Sequence, residues 1–377
     1  MNRSLTLSAT LAAAVLSMSF ACSGDFDPTS ATFRPPGQAS IPGQGSPAAE
    51  EGPTLTPQVS GTTVRLQAVS PVSLNVVWAS GLGGTFVVTT DGGRSWRAGV
   101  VPGAEQLEFR DVEGVSPTVA YLLAAGEGDK SRIYKTVDGG GSWSLLFTNT
   151  DPAGFYDCFD FWDLDHGLTF ADAVGGRFPV IQTGNGRTWQ DIGDRFPAAQ
   201  EGEAGFAASG TCIATQSNRW AWIGTGGSAK ARVLATTDAG NSWTAFDTPI
   251  RQGTGTAGIF SVAFRDRFHG LIAGGDLSDS TVVVRNNLAR SSDAGHTWSL
   301  TASPVPVTGA VFGLSYVPGH RRLLVMATGP GGTAWSADEG DTWSLIPGVT
   351  GFWAVGFASP TAGWLVGTEG KILKVSF

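Results

Sequence analysis

The sequence predicts an all-β protein, a single seven-bladed β-propeller of four-stranded antiparallel blades. Glycine is the first sign: the 377 residues include 53 glycines, about twice what an average usage of about 7% gives, as expected for a chain with many tight turns. The second sign is a tryptophan-ended octapeptide that recurs six times, at intervals of 45 to 55 residues. A period of that length is typical of propeller blades.

The octapeptides predict a repeated hairpin turn. Five of them match (Ser/Thr)-x-Asp-x-Gly-x-x-Trp, and the third has Gly184 in place of the aspartate. A short carboxylate and a hydroxyl can accept hydrogen bonds from backbone N–H groups in the turn, glycine supplies a positive φ, and the indole can pack between sheets. We therefore expect structural roles for Asp91, Trp96, Asp138, Trp143, Trp189, Asp238, Trp243, Asp293, Trp298, Asp338 and Trp343.

Seven β-rich runs predict the inner strands of seven blades. About 46 residues are available for each blade, which suits four strands. The last blade ends at Phe377 after its third strand, so we expect residues 56–61 to supply its fourth strand and close the ring. The predicted inner strands are 64–69, 108–112, 156–161, 206–213, 260–264, 311–316 and 353–357.

The N-terminal segment predicts export. Residues 1–21 combine Arg3 with an apolar run and a small residue before Cys22, the layout of a secretory signal. Cleavage after Ala21 suits an ordinary signal peptidase, whereas Cys22 as the first mature residue suits a bacterial lipoprotein. Residues 22–55 are rich in Pro, Gly and Ser and predict an extended spacer before the propeller at 56–377. We expect a periplasmic or outer-membrane-associated lipoprotein; the alternative is an untethered tail.

The tryptophan-ended octapeptides resemble the Asp-box, or BNR repeat, of sialidases, xyloglucanases and sortilin-type receptors. In those families the box lies on the outside of the propeller, away from the working face. Three segments, 156–163, 197–212 and 258–266, resemble a bacterial branch of the photosystem II stability and assembly factor-like propellers. This resemblance implies a non-enzymatic scaffold that binds membrane-protein subunits, and names no substrate.

Topology places the candidate ligand site on the face opposite the box turns. That face carries the longest loops and the crossings between blades. We expect the loop acids Glu201, Glu203 and Asp276 to concentrate negative charge there. Arg110 and either Asp157 or Asp160 are expected to face the central channel. The alternative is that these are solvated acids and ion-paired channel residues.

Composition narrows the partners. A net charge of -8 disfavours binding to nucleic acid and to anionic lipid, because both are negatively charged. No motif calls for a metal or another cofactor. We therefore predict a monomer that binds an envelope protein or a glycan-like ligand, with membrane contact only through the anchor.

The alternative function is a glycoside hydrolase using two rim carboxylates such as Glu201 and Glu203. A sialidase would also need an arginine cluster and a tyrosine nucleophile, and the chain has four tyrosines. Cys158 and Cys212 fall on adjacent predicted inner strands. In an oxidising compartment they can form a disulfide, and two buried thiols are the alternative.

Overall fold

The computed structural model describes residues 52–377, and these form one compact unit. The predicted signal peptide, Cys22 and most of the spacer lie outside the described residues. Seven separate four-stranded antiparallel sheets follow one another along the chain, so the predicted seven-bladed propeller is confirmed. Three single 3₁₀ turns, Gly128–Lys130, Gly193–Arg195 and Thr368–Gly370, interrupt the strands.

Twenty-eight strands make up the described part of the chain. Within a blade the first strand lies at the central channel and the fourth at the outside. The strands are β1 (Thr54–Val59), β2 (Leu66–Pro71), β3 (Val77–Gly81), β4 (Thr85–Thr89), β5 (Arg97–Val100), β6 (Phe109–Gly114), β7 (Ala120–Ala124), β8 (Arg132–Thr136), β9 (Ser144–Thr148), β10 (Tyr156–Phe161), β11 (Gly167–Ala171), β12 (Ile181–Thr183), β13 (Gln190–Asp191), β14 (Ile213–Gln216), β15 (Trp220–Gly224), β16 (Arg232–Thr236), β17 (Thr244–Asp247), β18 (Ala257–Phe264), β19 (Gly270–Asp276), β20 (Leu288–Ser291), β21 (Ser299–Leu300), β22 (Gly313–Tyr316), β23 (Val325–Gly329), β24 (Gly332–Ser336), β25 (Ser344–Leu345), β26 (Phe352–Ser359), β27 (Ala362–Gly367) and β28 (Lys371–Ser376).

The ring closes through the two ends of the described chain. Strand β1 pairs antiparallel with β28 over six residues, from Thr54 opposite Ser376 to Val59 opposite Lys371. It thereby becomes the fourth strand of blade 7, as predicted. Gln58 Oε1 accepts hydrogen bonds from the indoles of Trp96 at 3.0 Å and Trp364 at 3.2 Å. One glutamine thus ties the closing strand to blade 1, and pairing removes the open edge that an unclosed ring would leave.

The octapeptide turns fold around their own carboxylates. In blade 5, Ser291 Oγ donates to Asp293 Oδ1 at 2.9 Å, and Thr297 donates from its backbone N–H and its hydroxyl to the two carboxylate oxygens. The same pattern holds the turns of blades 1, 2, 4 and 6. In blade 3, which lacks the aspartate, Asn185 Oδ1 accepts from the backbone N–H of Thr188 at 2.9 Å.

The six tryptophans of these turns pack in the core between neighbouring blades. Trp143 of blade 2, for example, meets Trp78 of blade 1 edge-on with ring centroids 6.3 Å apart. Blade 7 has no octapeptide, and at its junction with blade 6 the terminal residue Phe377 packs edge-on against Trp335, with centroids 5.6 Å apart. Each inter-blade seam therefore contains an aromatic side chain.

The prediction of an inner strand at 206–213 is wrong. Strand β14 begins at Ile213, and residues 206–212 form irregular backbone. Gly210 has a φ of 76°, a conformation that residues with a side chain rarely adopt, and it turns the chain beside Ala68 and Asp111. Ser209 Oγ donates to the carbonyl of Phe312 at 2.6 Å. This channel segment (204–212) thus reaches blades 1, 2 and 6 and fills the middle of the ring.

Cys158 and Cys212 are joined by a disulfide, with their Cα atoms 6.2 Å apart. Cys158 lies in β10 of blade 3, and Cys212 immediately precedes β14 of blade 4. Both side chains are fully buried. The bond therefore fastens the end of the channel segment to the neighbouring blade.

Candidate binding site at the upper channel mouth

The upper face is the face opposite the octapeptide turns, where the inner strands begin. Five inner strands carry a register shift at the same place, one residue after their start or a little later. A β-bulge leaves its extra residue unpaired and re-aims its side chain, and bulges are over-represented beside active sites. The five bulged residues are Gln67, Arg110, Asp157, Phe260 and Trp353, and all five line one cavity of about 280 Å³.

This cavity, which we call the upper mouth, has an aromatic half and a polar half. The aromatic half is built from blades 4 to 7 by Phe206, Phe260, Phe312 and Trp353. Phe206 and Phe260 stack with centroids 4.1 Å apart, and Phe260 lies nearly parallel to Phe312 at 5.7 Å. Phe206 belongs to the channel segment, so that segment forms part of the floor of the upper mouth.

The polar half comes from blades 1 to 3 and contains two arginines. Arg110 donates to Glu108 from Nε at 3.0 Å and from Nη2 at 2.7 Å, so its charge is matched. The guanidinium of Arg65 lies over the ring of Trp353, 4.7 Å from the centroid. Burial lowers the pKa of Arg65, and the nearby carboxylate of Glu108 opposes that shift.

Two carboxyl groups lie together beside these arginines. Burial raises the pKa of Asp157 well above its usual range, and the charge of Asp172 raises it further. Burial also raises the pKa of Asp172, to about 6, against a hydrogen bond from Gly205 N to Asp172 Oδ1 at 3.0 Å. Ionising both of two carboxyl groups that are hydrogen-bonded to each other is unfavourable, because their negative charges repel. The two groups therefore share one proton near neutral pH.

Several buried polar atoms of the upper mouth lack a hydrogen-bond partner within the described part of the chain. They are Arg65 Nε, Gln67 Oε1 and Asp157 Oδ2. The shared proton gives the Asp157 carboxyl group a hydrogen bond to Asp172, whereas Gln67 Oε1 has no partner although Gln67 is only 2% exposed. An unsatisfied buried polar group costs about 1–3 kcal/mol. Such atoms gathered in one cavity are typical of a binding site.

The predicted rim acids do not lie in the upper mouth. Glu203 is buried, and Arg232 donates to it from Nε at 2.9 Å while Thr225 Oγ1 donates at 2.7 Å.

Asp276 is also buried. Burial alone would raise its pKa, but hydrogen bonds from Thr256 and Ser278 hold the pKa well below its usual range. Of the three acids predicted to gather negative charge, Glu201 is the exposed one.

The structure separates the predicted channel residues. Arg110 and Asp157 line the upper mouth, whereas Asp160 lines a different cavity of about 520 Å³ at the lower end of the channel. Burial raises the pKa of Asp160 to about 6, and hydrogen bonds from the backbone of Phe161 and Thr215 oppose the shift. Both Asp160 oxygens are thus engaged by the fold, at 2.7 Å each.

Sequence reasoning missed most of the upper mouth. Arg65, Gln67, Asp172, Phe206 and the aromatic residues of blades 5 to 7 were not predicted. A signal exists in the repeats: once the inner strands are aligned, the bulged position carries a large or polar residue in five blades, followed by a small or polar one. The bulge itself is a backbone feature and cannot be read from one blade alone.

Within residues 52–377, no group of three or more His, Cys, Asp or Glu side chains is placed to hold a metal ion. In the same range, no helix is long and apolar enough to cross a membrane.

The fold and the upper mouth define a propeller with an amphipathic pocket on its axis. Solved structures of similar fold include YCF48 bound to a D1 peptide, with a TM-score of 0.59 and 16% identity over 87% of this chain and 98% of that one. YCF48 from Cyanidioschyzon merolae gives 0.58 and 16%, over 85% and 98%. The WD40 propeller domain of Doa1 gives 0.53 and 12%, over 86% and 97%.

These likenesses show the fold alone, since the identities are low. No family model matches the sequence, and no curated protein matches it either.

Proposed function

We propose that this protein is an exported, lipid-anchored, non-enzymatic propeller that binds a segment of an envelope protein in the upper mouth. The observation that carries the proposal is the set of unpartnered buried polar atoms facing an aromatic wall in one cavity. A peptide side chain can supply both missing kinds of contact, an apolar body and a polar end. The D1 peptide held by a YCF48 propeller of similar fold supports the same kind of ligand.

The rim carboxylates give little support to the glycoside hydrolase alternative. A hydrolase needs a carboxylic acid and a second carboxylate free to reach substrate. Glu203 is instead held by Arg232 and Thr225. A glycan-like ligand remains compatible with the aromatic half, because sugars stack on such rings, but the small cavity favours a single side chain over a chain of sugars.

The test is affinity capture with the tagged full-length chain and with Trp353→Ala. We expect the wild type to retain one defined envelope protein, the variant to lose it, and neither to hydrolyse a panel of glycosides. Thr361→Ala, an exposed change on the lower face, is the control and should retain the partner. Turnover on a glycoside that Glu201→Gln or Glu203→Gln abolishes, without loss of binding, would contradict the proposal in favour of a hydrolase.

Anchoring is tested separately. Mass spectrometry of the mature N-terminus should find a diacylglyceryl group on Cys22, and Cys22→Ala should release the protein from the membrane fraction. An unmodified mature chain that begins at Cys22 would instead indicate ordinary signal-peptidase cleavage.

A further inference from the structure

We propose that the group which enters the upper mouth is an uncharged primary amide on an apolar body, such as the side chain of a glutamine in a peptide. This inference rests on the proposed function, because it names the ligand chemistry of the same cavity. It follows from three features of the upper mouth: its balanced charges, its unpartnered hydrogen-bonding atoms and its aromatic half.

The charges of the upper mouth balance one another. Arg65 and Arg110 are positive, and Glu108, which accepts from Arg110 at 2.7 Å, is negative. The carboxyl groups of Asp157 and Asp172 share a proton and together hold one further negative charge. A charged ligand would leave a net charge in a cavity that is partly closed to water, where an uncompensated charge is costly. An uncharged ligand keeps the balance.

One donor and one acceptor of the polar half remain to be matched. Arg65 Nε carries an N–H and Gln67 Oε1 accepts, and neither atom has a hydrogen-bond partner in the part of the chain that the structure describes. A primary amide has a carbonyl oxygen that accepts and an N–H₂ group that donates. It can therefore satisfy both atoms, whereas a ketone can satisfy only the arginine and an ammonium group only the glutamine.

The two unpartnered atoms belong to neighbouring positions of blade 1. Arg65 directly precedes β2, and the register shift between Leu66 and Ala68 leaves Gln67 outside the pairing with β3. The side chains of Arg65 and Gln67 both line the upper mouth. Because the two residues are only two positions apart, they lie on the same side of the cavity, where one planar amide can contact both.

The aromatic half suits the apolar body that carries the amide. Phe206 and Phe260 stack with centroids 4.1 Å apart, and Phe312 meets Trp353 edge-on at 5.6 Å. The guanidinium of Arg65 lies over the Trp353 ring, 4.7 Å from the centroid, so the donor for the amide carbonyl borders the aromatic half. An apolar body that reaches these rings gains by leaving water.

The experiment compares four probes of similar shape with the full-length protein: 3-phenylpropionamide, 4-phenyl-2-butanone, 3-phenylpropionate and 3-phenylpropylamine. The ketone keeps the carbonyl but has a methyl group in place of the N–H₂ group, and the last two probes are charged. Tryptophan fluorescence and ligand-observed NMR give the dissociation constants at pH 7. We expect the amide to bind about 10-fold more tightly than each other probe, since a buried polar group discriminates against a ligand that leaves it unpaired.

A pair of matched substitutions tests the acceptor. Gln67→Met should reduce the affinity for the amide to that for the ketone and leave the ketone unchanged. Gln216→Met is the control, because Gln216 Oε1 also lacks a partner within residues 52–377 but Gln216 ends β14 on the lower face. It should change neither affinity. Thermal unfolding checks that both variants fold, and the selectivity of the wild type tests the inference without either variant.

Four results would overturn the inference: equal affinities for amide and ketone, tighter binding of the propionate or the amine, no binding of the amide at about 10 mM, or an unchanged ratio of amide to ketone affinity in folded Gln67→Met. These results leave the proposed function standing if Trp353→Ala still abolishes partner capture. A preference for the amide that Gln67→Met removes, with partner capture unaffected by Trp353→Ala, would support the amide site and contradict the proposed function.

Discussion

The carboxylates of the octapeptide turns and those of the upper mouth differ in how they are satisfied. Each turn aspartate accepts several hydrogen bonds from its own turn, and the hydroxyl and backbone of Ser142 lower the pKa of Asp138 to about 2. Asp157, in contrast, is buried beside another carboxyl group, which raises its pKa. A group that the fold satisfies stabilises the fold. One that it leaves unsatisfied costs stability, and such groups cluster at functional sites.

The largest expected effect concerns Glu203, a buried carboxylate that the fold satisfies with hydrogen bonds, as it does the turn aspartates. Glu203→Ala should cost about 3–5 kcal/mol, because it leaves the guanidinium of Arg232 without its partner. Glu201→Ala, two residues away and exposed, should change stability by less than about 0.5 kcal/mol. Urea unfolding of the two variants measures the difference. Similar losses for both would mean that Glu203 is not the structural residue described above.

The two sets of carboxylates should also separate by pH. Buried acids with a raised pKa bind protons in the folded protein that they lose on unfolding. Their contribution to the free energy of unfolding therefore falls as the pH rises above about 4. Burial raises the pKa of Glu113 to about 8, helped by the charge of Asp160, so this loss should continue to about pH 8. The turn aspartates act oppositely: their contribution is present above about pH 4 and is lost as pH falls.

We therefore expect the urea midpoint to peak near about pH 4–5. Glu113→Gln should make the decline between about pH 6 and 8 less steep, because it removes one of the buried acids, alongside Asp111 and Asp157, whose pKa burial raises far above the usual range. A midpoint that rises from pH 5 to 8 in the wild type would contradict the buried placement of these acids.

A pair of single substitutions sharpens the comparison further. Asp293→Ala removes the acceptor for both donors of Thr297 and should cost about 1–2 kcal/mol. Asp157→Asn removes a buried acid with a raised pKa and should leave stability at pH 7 unchanged or higher. Thermal unfolding at pH 7 compares the stabilities of the two variants. A loss of stability in Asp157→Asn as large as that in Asp293→Ala would show that Asp157 is a structural residue.

The smallest expected effect concerns backbone conformation within the turns. Ala239 and Ala294 have φ of 62° and 64°, where blades 1 and 2 have glycine at the same octapeptide position. Ala239→Gly should stabilise the protein by about 0.5–1 kcal/mol, since glycine adopts this conformation without steric cost. Ala235→Gly, in the interior of β16, is the control and should destabilise it. A loss of stability in Ala239→Gly would contradict this account.

The sequence predicts the architecture because its signals are local and repeated. Asp293, Gly295 and Trp298 specify one turn and one inter-blade contact, and the same types recur around the ring. The closing strand follows from the missing fourth strand of blade 7, and β1 starts two residues before the predicted 56–61.

The upper mouth could be predicted only in part, because its chemistry depends on contacts between distant segments. Arg110 and Asp157 lie on inner strands that the repeat locates. The raised pKa of Asp157 depends on Asp172 and on burial by residues of the channel segment, which the periodicity predicts as a strand. Nothing within residues 206–212 indicates that they leave the sheet to cross the channel.

The most direct test of the central claim, that the upper mouth is the contact surface, uses photo-crosslinking in living cells. A benzophenone side chain replaces Leu277, which lines the upper mouth, or Phe268, which lies in the β18–β19 turn on the lower face. The two positions are 46% and 45% exposed and belong to one blade. We predict a discrete protein adduct from position 277 and none from 268. An adduct from 268 alone would contradict the claim.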